Sequence, residues 1–197
     1  MGSAERADPE GERKGVRTRR RILESARGVF ADVGYERATI RGIAATAGVD
    51  KSSVIQYFGT KQALFQEAVH WDIPNAELTT DDATETTENR VRGMLAAWAA
   101  DPNSPMAVLL RTSMTSEDAA QLLRTHITAQ AVDPMAAGID APDARLRAAL
   151  AGAMLMGIAS QRYILRMPDL VDADVEDVLK LVTPLVQALL DPTSNDE

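Results

Sequence analysis

Residues 39–61 read Thr-Ile-Arg-Gly-Ile-Ala-Ala-Thr-Ala-Gly-Val-Asp-Lys-Ser-Ser-Val-Ile-Gln-Tyr-Phe-Gly-Thr-Lys. Thr39 offers a side-chain oxygen to open a helix on which Ile40, Ile43, Ala44 and Ala47 share one face. Gly48 permits the positive φ of a tight turn, and Val49 is the apolar residue expected to plug the space beneath it. Asp50 is expected to cap a second short helix that ends at Tyr57-Phe58. A supporting helix, a glycine turn and a short helix make a helix-turn-helix, and Ala44 is small where the two helices must cross. On the second helix Val54 and Phe58 face inward, which leaves Lys51, Ser52, Ser53, Ile55, Gln56 and Tyr57 outward. Most of these are hydrogen-bonding types, as reading the major groove requires.

Working outward, Ile22, Leu23, Ala26, Val29, Phe30 and Val33 recur at three- and four-residue steps and predict an amphipathic helix from residue 18, ended by Gly34. Gly59-Thr60 breaks the chain after the helix pair, and Thr60 caps a helix through Leu64 and Val69. Residues 73–87 lack an apolar period and mark a boundary. Beyond it the helical pattern resumes: residues 89–100, a helix restarted at Ser104-Pro105, a long one from about 116 to 139 kinked at Pro134, another from Asp143 to about 165, and a last one from Asp174. No strand pattern and no internal repeat stands out. The expected fold is all-α, with an N-terminal helix-turn-helix domain of the three-helix DNA-binding type and a C-terminal helical domain. The divisions are a disordered tail at 1–15, a DNA-binding domain at 16–70, a connector at 71–87, a helical domain at 88–191 and a tail at 192–197.

Charge separates the two parts further. The chain of 197 residues carries a net charge of -8, which looks wrong for a polyanion binder. Yet residues 13–62 hold eleven Lys and Arg against four Asp and Glu, a surplus of seven positive charges, and the remainder carries -15. A basic third joined to an acidic remainder suggests two jobs, one of them facing a polyanion. The absence of cysteine removes disulfides and thiolate chemistry. With no signal-like N-terminus and no apolar run of membrane-spanning length, the expected location is the cytoplasm, with no membrane partner.

Ile22-Leu23 to Phe30, Gly34-Tyr35, Thr39 to Ala44, Gly48-Val49, and Tyr57-Phe58-Gly59-Thr60-Lys61 followed by Leu64-Phe65 closely resemble the TetR family of transcriptional regulators over about residues 18–69. The resemblance implies a homodimer that binds a pseudo-palindromic DNA operator, with a variable helical C-terminal domain for a small-molecule effector. It implies a repressor relieved by that ligand. Carried onto this sequence, Thr39, Tyr57 and Lys61 are expected at phosphates, with Lys51, Ser52 and Gln56 on the base side, and Arg41 and Ser53 complete the DNA-binding set. Ile55 departs from the family, which commonly has an aromatic residue there. For residues 17–21 two readings stand: an arm to phosphate or the minor groove, and a solvated helix start.

In the C-terminal part the seven internal methionines all fall between Met94 and Met167. Met94, Trp98, Met106, Leu110, Met114 and Met154 are expected to converge on an effector space, with Gln161, Tyr163, Arg111 and His126 as polar candidates. Ala149, Gly152, Ala153, Gly157 and Ser160 allow close helix approach for dimerisation. No catalytic or metal-ligand constellation is legible: His70 and His126 fall in different predicted domains, and no phosphate loop or nucleophile elbow occurs, so no cofactor is expected. The rival reading is a helical adaptor that binds only protein. It leaves the basic helix pair without a purpose.

Overall fold

The computed structural model describes residues 9–101 and 103–191, and among these every regular element is helical. Helix α1 (Pro9–Arg37) begins well before the apolar period does, so residues 9–15, expected in the tail, are helical. Charged residues have good helix propensity without an apolar face, and hydrophobic periodicity does not register them. Residues 1–8 and 192–197 lie outside the described residues. Gly34 breaks the rod with φ 78° and ψ 163°, a region of backbone space that is essentially glycine's alone.

The helix pair forms as the sequence requires. Helix α2 (Ile40–Ala47) is capped by Thr39, whose Oγ1 accepts from the Gly42 amide at 3.0 Å. Gly48 sits at φ 62° and ψ 43°, the Gly48 amide donates to the Ala45 carbonyl, and the Val49 amide donates to that of Ala44, a Schellman closure. Helix α3 (Lys51–Phe58) follows at once. Asp50 occupies the N-cap position there with extended backbone, but its side chain makes no capping bond, contrary to the expectation. Helix α4 (Lys61–Ala68) is capped by Thr60, which accepts from the Ala63 amide at 3.0 Å.

Ile22, Phe30, Ile43, Val54 and Leu64 are fully buried at the centre of α1–α4. The same core takes in Val108 and Leu109 of α7 (Pro105–Ser113) and Ala119 of α8 (Glu117–Ile127), so packing crosses the boundary drawn at residues 71–87. That connector carries the one-turn helix α5 (Asn75–Leu78). A second core unites Val91 and Leu95 of α6 (Ala83–Ala100), Met135 of α9 (Asp133–Ala137), Ala148 and Ala151 of α10 (Ala144–Ala159), and Leu179 and Val186 of α12 (Val175–Leu190). Between α10 and α12 lie a π turn at Ser160–Ile164 and the short helix α11 (Pro168–Val171).

Pro134 neither ends nor simply bends the helix it interrupts. A π turn at Thr128–Val132 joins α8 to α9 just before it. Pro134 has no amide hydrogen for the carbonyl four residues back, that of Gln130, and this oxygen accepts instead from Asn75 Nδ2 at 2.9 Å. The Ile73 amide donates to Gln130 Oε1 at 3.3 Å, and the connector is thus fastened to the turn twice.

Two glycines test this backbone reading. A Cβ at Gly34 or Gly48 would meet no atom within 4 Å, so any cost is conformational rather than steric. Gly48→Ala should lower unfolding free energy by about 1 kcal/mol. Gly34→Ala should cost more, about 2–3 kcal/mol, because its ψ is closed to residues with a side chain. Urea titrations with unchanged m-values check both, and the order of the two is the decisive result.

Candidate nucleic-acid interface

Helix α3 presents Lys51, Ser52 and Gln56 exposed to solvent, with Ser53 and Tyr57 half-buried beside them. Thr39 and Arg41 are exposed at the start of α2. Seven of the eight expected DNA-facing residues thus belong to α3, α2 or the α2 cap and none of them is buried, and the eighth, Lys61 on α4, is half-buried as Ser53 and Tyr57 are. Ile55 is 45% exposed in their midst, a branched apolar side chain on an otherwise polar face. The early turns of α1 flank the same face, since a Cβ on Gly15 would stand 3.4 Å from the Tyr57 hydroxyl. Sequence periodicity did not place that extension beside Tyr57.

Lys61 departs from the expectation. Its ammonium turns away from the surface to donate to the carbonyls of Tyr35 at 2.9 Å and Ala38 at 3.3 Å, and it lies 4.3 Å from the centre of the Tyr35 ring. A cation at these carbonyls, where α1 gives way to α2, is favourable, and here it ties α4 to the α1–α2 corner. Tyr35 itself packs on Phe65 at 4.8 Å and Phe30 at 5.8 Å, and burial, reinforced by Glu36 and Asp118, raises its hydroxyl above the ordinary tyrosine range. Within the 17–21 cluster, Arg19 pairs with Glu67 and lies over the Phe58 ring, while Arg20 reaches Glu24 at 3.8 Å. Lys14, Arg17 and Arg21 stand exposed on the same helix.

In the C-terminal part, Trp98, Ala107 and Ala159 are buried together, edged by half-buried Met94, Met106, Leu110, Met156, Tyr163 and Ile164. Trp98 stacks on Tyr163 with ring centres 6.4 Å apart. Four of the expected effector residues, Met94, Trp98, Met106 and Leu110, thus meet. Three do not. Met114 is 74% exposed because α7 ends one residue before it, so the assumed run of 106, 110 and 114 on one face stops short. Gln161 is exposed within the second π turn, where the 3.6-residue period no longer holds. Met154 packs with the α6–α9–α10–α12 core, and Met156 and Ile164 take the places beside Trp98. His126 is also reassigned: its Nε2 lies 2.6 Å from the Trp71 carbonyl and its ring 4.0 Å from the Trp71 ring, holding the connector onto α8. Arg111 donates to Asn103 Oδ1 at 3.2 Å.

Among the described residues no group of three His, Asp or Glu side chains is placed to hold a metal, and no helix is long and apolar enough to cross a membrane. A short exposed helix seated by a glycine turn on a supporting helix, in the basic third of the chain, defines a helix-turn-helix DNA-binding regulator. Residues 22–68 match the pattern of bacterial regulatory proteins of the tetR family, and residues 85–190 match that of the tetracyclin repressor-like C-terminal domain. The chain belongs to the TetR family. It is 34% identical over 83 residues to the HTH-type transcriptional repressor AcnR of Corynebacterium glutamicum, covering 42% of this chain and 43% of that protein. The matched stretch therefore spans less than half of that curated relative. A crystal structure of a TetR-family regulator from Streptomyces coelicolor A3 is 28% identical, with 95% of this chain and 99% of that one covered and a TM-score of 0.59. The fold is shared with NalD, the secondary repressor of the MexAB-OprM multidrug efflux pump in Pseudomonas aeruginosa, at 19% identity, a TM-score of 0.68, and coverage of 87% and 96%.

The geometry of Lys61 yields an expectation opposite to a phosphate contact. Lys61→Met should cost about 1–2 kcal/mol of stability in a urea titration, through loss of charge-assisted bonds to the α1–α2 corner. The slope of log DNA affinity against log salt should stay as in the parent protein. A slope flattened by a full charge per protomer would return Lys61 to the phosphates.

Proposed function

We propose that the protein is a homodimeric transcriptional repressor that reads a pseudo-palindromic operator with α3 and is released by a small-molecule effector bound between α6, α7 and α10. The observation that carries the DNA-reading part is the exposed set Lys51, Ser52 and Gln56 on a rigidly seated short helix, within a chain segment of surplus positive charge. Dimerisation is supported by Leu146 and Leu150 on α10 and Leu181 and Leu185 on α12, large apolar side chains left in solvent on the two helices that pack together. Effector binding is supported by the open-sided Trp98 cluster, in which half-buried apolar side chains surround only three buried ones. Release follows by linkage: a ligand lowers operator affinity only by binding the non-operator conformation more tightly, so DNA must weaken the ligand by the same factor.

Selection of bound sites from random duplexes, followed by titration of the selected site, tests the reading. The recovered sites should show two related half-sites, and the complex should contain two protomers. Gln56→Ala should change the preferred base at one position of each half-site and cost about 1–3 kcal/mol per contact on the original site. Lys51→Ala should likewise relax the preference for the base it faces and cost about 1–3 kcal/mol on the original site. Recovery of unrelated sequences, with retention on heparin that salt does not weaken, would favour a protein-binding adaptor. Leu181→Glu combined with Leu185→Glu should give a monomer by sedimentation, with operator affinity reduced at least a hundredfold.

A further inference from the structure

The arginines of the C-terminal part are almost all engaged. Arg92 takes both Glu88 and Glu176, Arg124 pairs with Glu117, Arg145 with Asp133 and Arg147 with Asp143, and Arg162 donates to the carbonyls of Leu170 and Ala173. Arg90 differs. It is half-buried on α6, its Nε is shut off from solvent, and that nitrogen has no hydrogen-bond partner. Glu88, the acid nearest to it in sequence, and Glu176 of α12 both pair with Arg92, two residues away. Burial lowers the pKa of its guanidinium from the ordinary arginine value, as expected for a charge partly withdrawn from water. An unpaired half-buried cation is costly, and an anion that completes it recovers that cost.

The position on the helix says what else such an anion would touch. Arg90, Met94 and Trp98 follow at four-residue steps and share one side of α6. Thr86 and Gly93 lie to one flank beneath the connector, where Thr86 bonds Thr80 and a Cβ on Gly93 would meet Leu78. To the other flank is the apolar cluster of Trp98, Met106, Leu110 and Met156. Eight residues of helix separate the Arg90 and Trp98 backbones by about 12 Å, the length of a chain of about ten carbons.

We propose that Arg90 is the anion anchor of the effector site, and that the effector is an amphipathic carboxylate whose apolar body runs from Arg90 past Met94 to Trp98. The inference rests on the effector reading given above and adds the ligand's charge, its class and its direction in the site. The carboxylate accepts from the Arg90 guanidinium, and the apolar body covers the half-buried methionines.

The test uses the full chain carrying Trp71→Phe, which leaves Trp98 as the single indole, with decanoate and decan-1-ol as paired probes of equal length. Decanoate should quench or shift Trp98 fluorescence saturably, at least tenfold more tightly than the alcohol, and should weaken the selected operator complex. Arg90→Gln should bind the two probes equally, through a loss of at least tenfold for decanoate, and Arg90→Lys should keep most of the preference. Thermal melting without ligand should show Arg90→Met to be no less stable than the parent, since no internal partner is lost. Decanoate binding unchanged in Arg90→Gln, or no preference for the carboxylate in the parent, overturns the anchor while alcohol binding keeps the site itself. If neither probe perturbs Trp98, the anchor and the effector site fall together.

Discussion

Val108 and Leu109 of α7 have no exposed surface, and they are buried against the same side chains that seat the DNA-reading helices. Helices α2, α3 and α4 have eight residues each, below the length at which a helix holds itself together in water. Their positions are therefore set by what they pack on: α1 on one side, and through α1 the α7–α8 pair. A displacement of α7 cannot be absorbed locally, because a close-packed core transmits strain. Ala107 of α7 is buried beside Trp98, and the next two residues of the same helix belong to the core of the DNA-reading part.

The connector adds a second physical tie. His126 on the Trp71 carbonyl, and Gln130 with both Ile73 and Asn75, fix five residues of connector to a single face of α8 and its π turn. The two parts of the chain thus meet through an apolar contact at α7 and a polar one at the connector. The Lys61 ammonium performs a comparable task inside the DNA-reading part, closing the α1–α2 corner with the helix that follows the reader. Shape near the DNA is maintained by a residue whose charge would otherwise be taken for an affinity group.

What was legible in the sequence follows from which forces are periodic. The helix pair, its glycine turn and the outward set Lys51, Ser52 and Gln56 could be read because caps, glycines and apolar spacing are local. The start of α1 was hidden, since helix built of charged residues carries no apolar period. The Lys61 contacts with carbonyls more than twenty residues earlier are not legible either, because spacing does not show them. Met114 and Gln161 were misplaced by a constant 3.6-residue period, which the end of α7 and the second π turn each break. Arg90 gives no signal in the sequence, because an arginine beside Arg92 in an acidic segment looks solvated until its neighbours' pairings are known.

The first π turn also sets a phase. In an uninterrupted α-helix, Met135 would point nearly opposite to the Leu122–Leu123 pair, at about 100° per residue. One residue inserted as a π turn brings Met135 back by about 100°, into the neighbouring quadrant. Leu122 and Leu123 then pack with the DNA-reading core, and Met135 with the other, on one rod lying in the corner between them. Deleting any single residue from 128–132 would leave the helix shorter by one step and still well formed, yet it would turn one of its two faces out of register. The count of residues in that segment, more than their identity, keeps the two halves of the molecule in angular agreement.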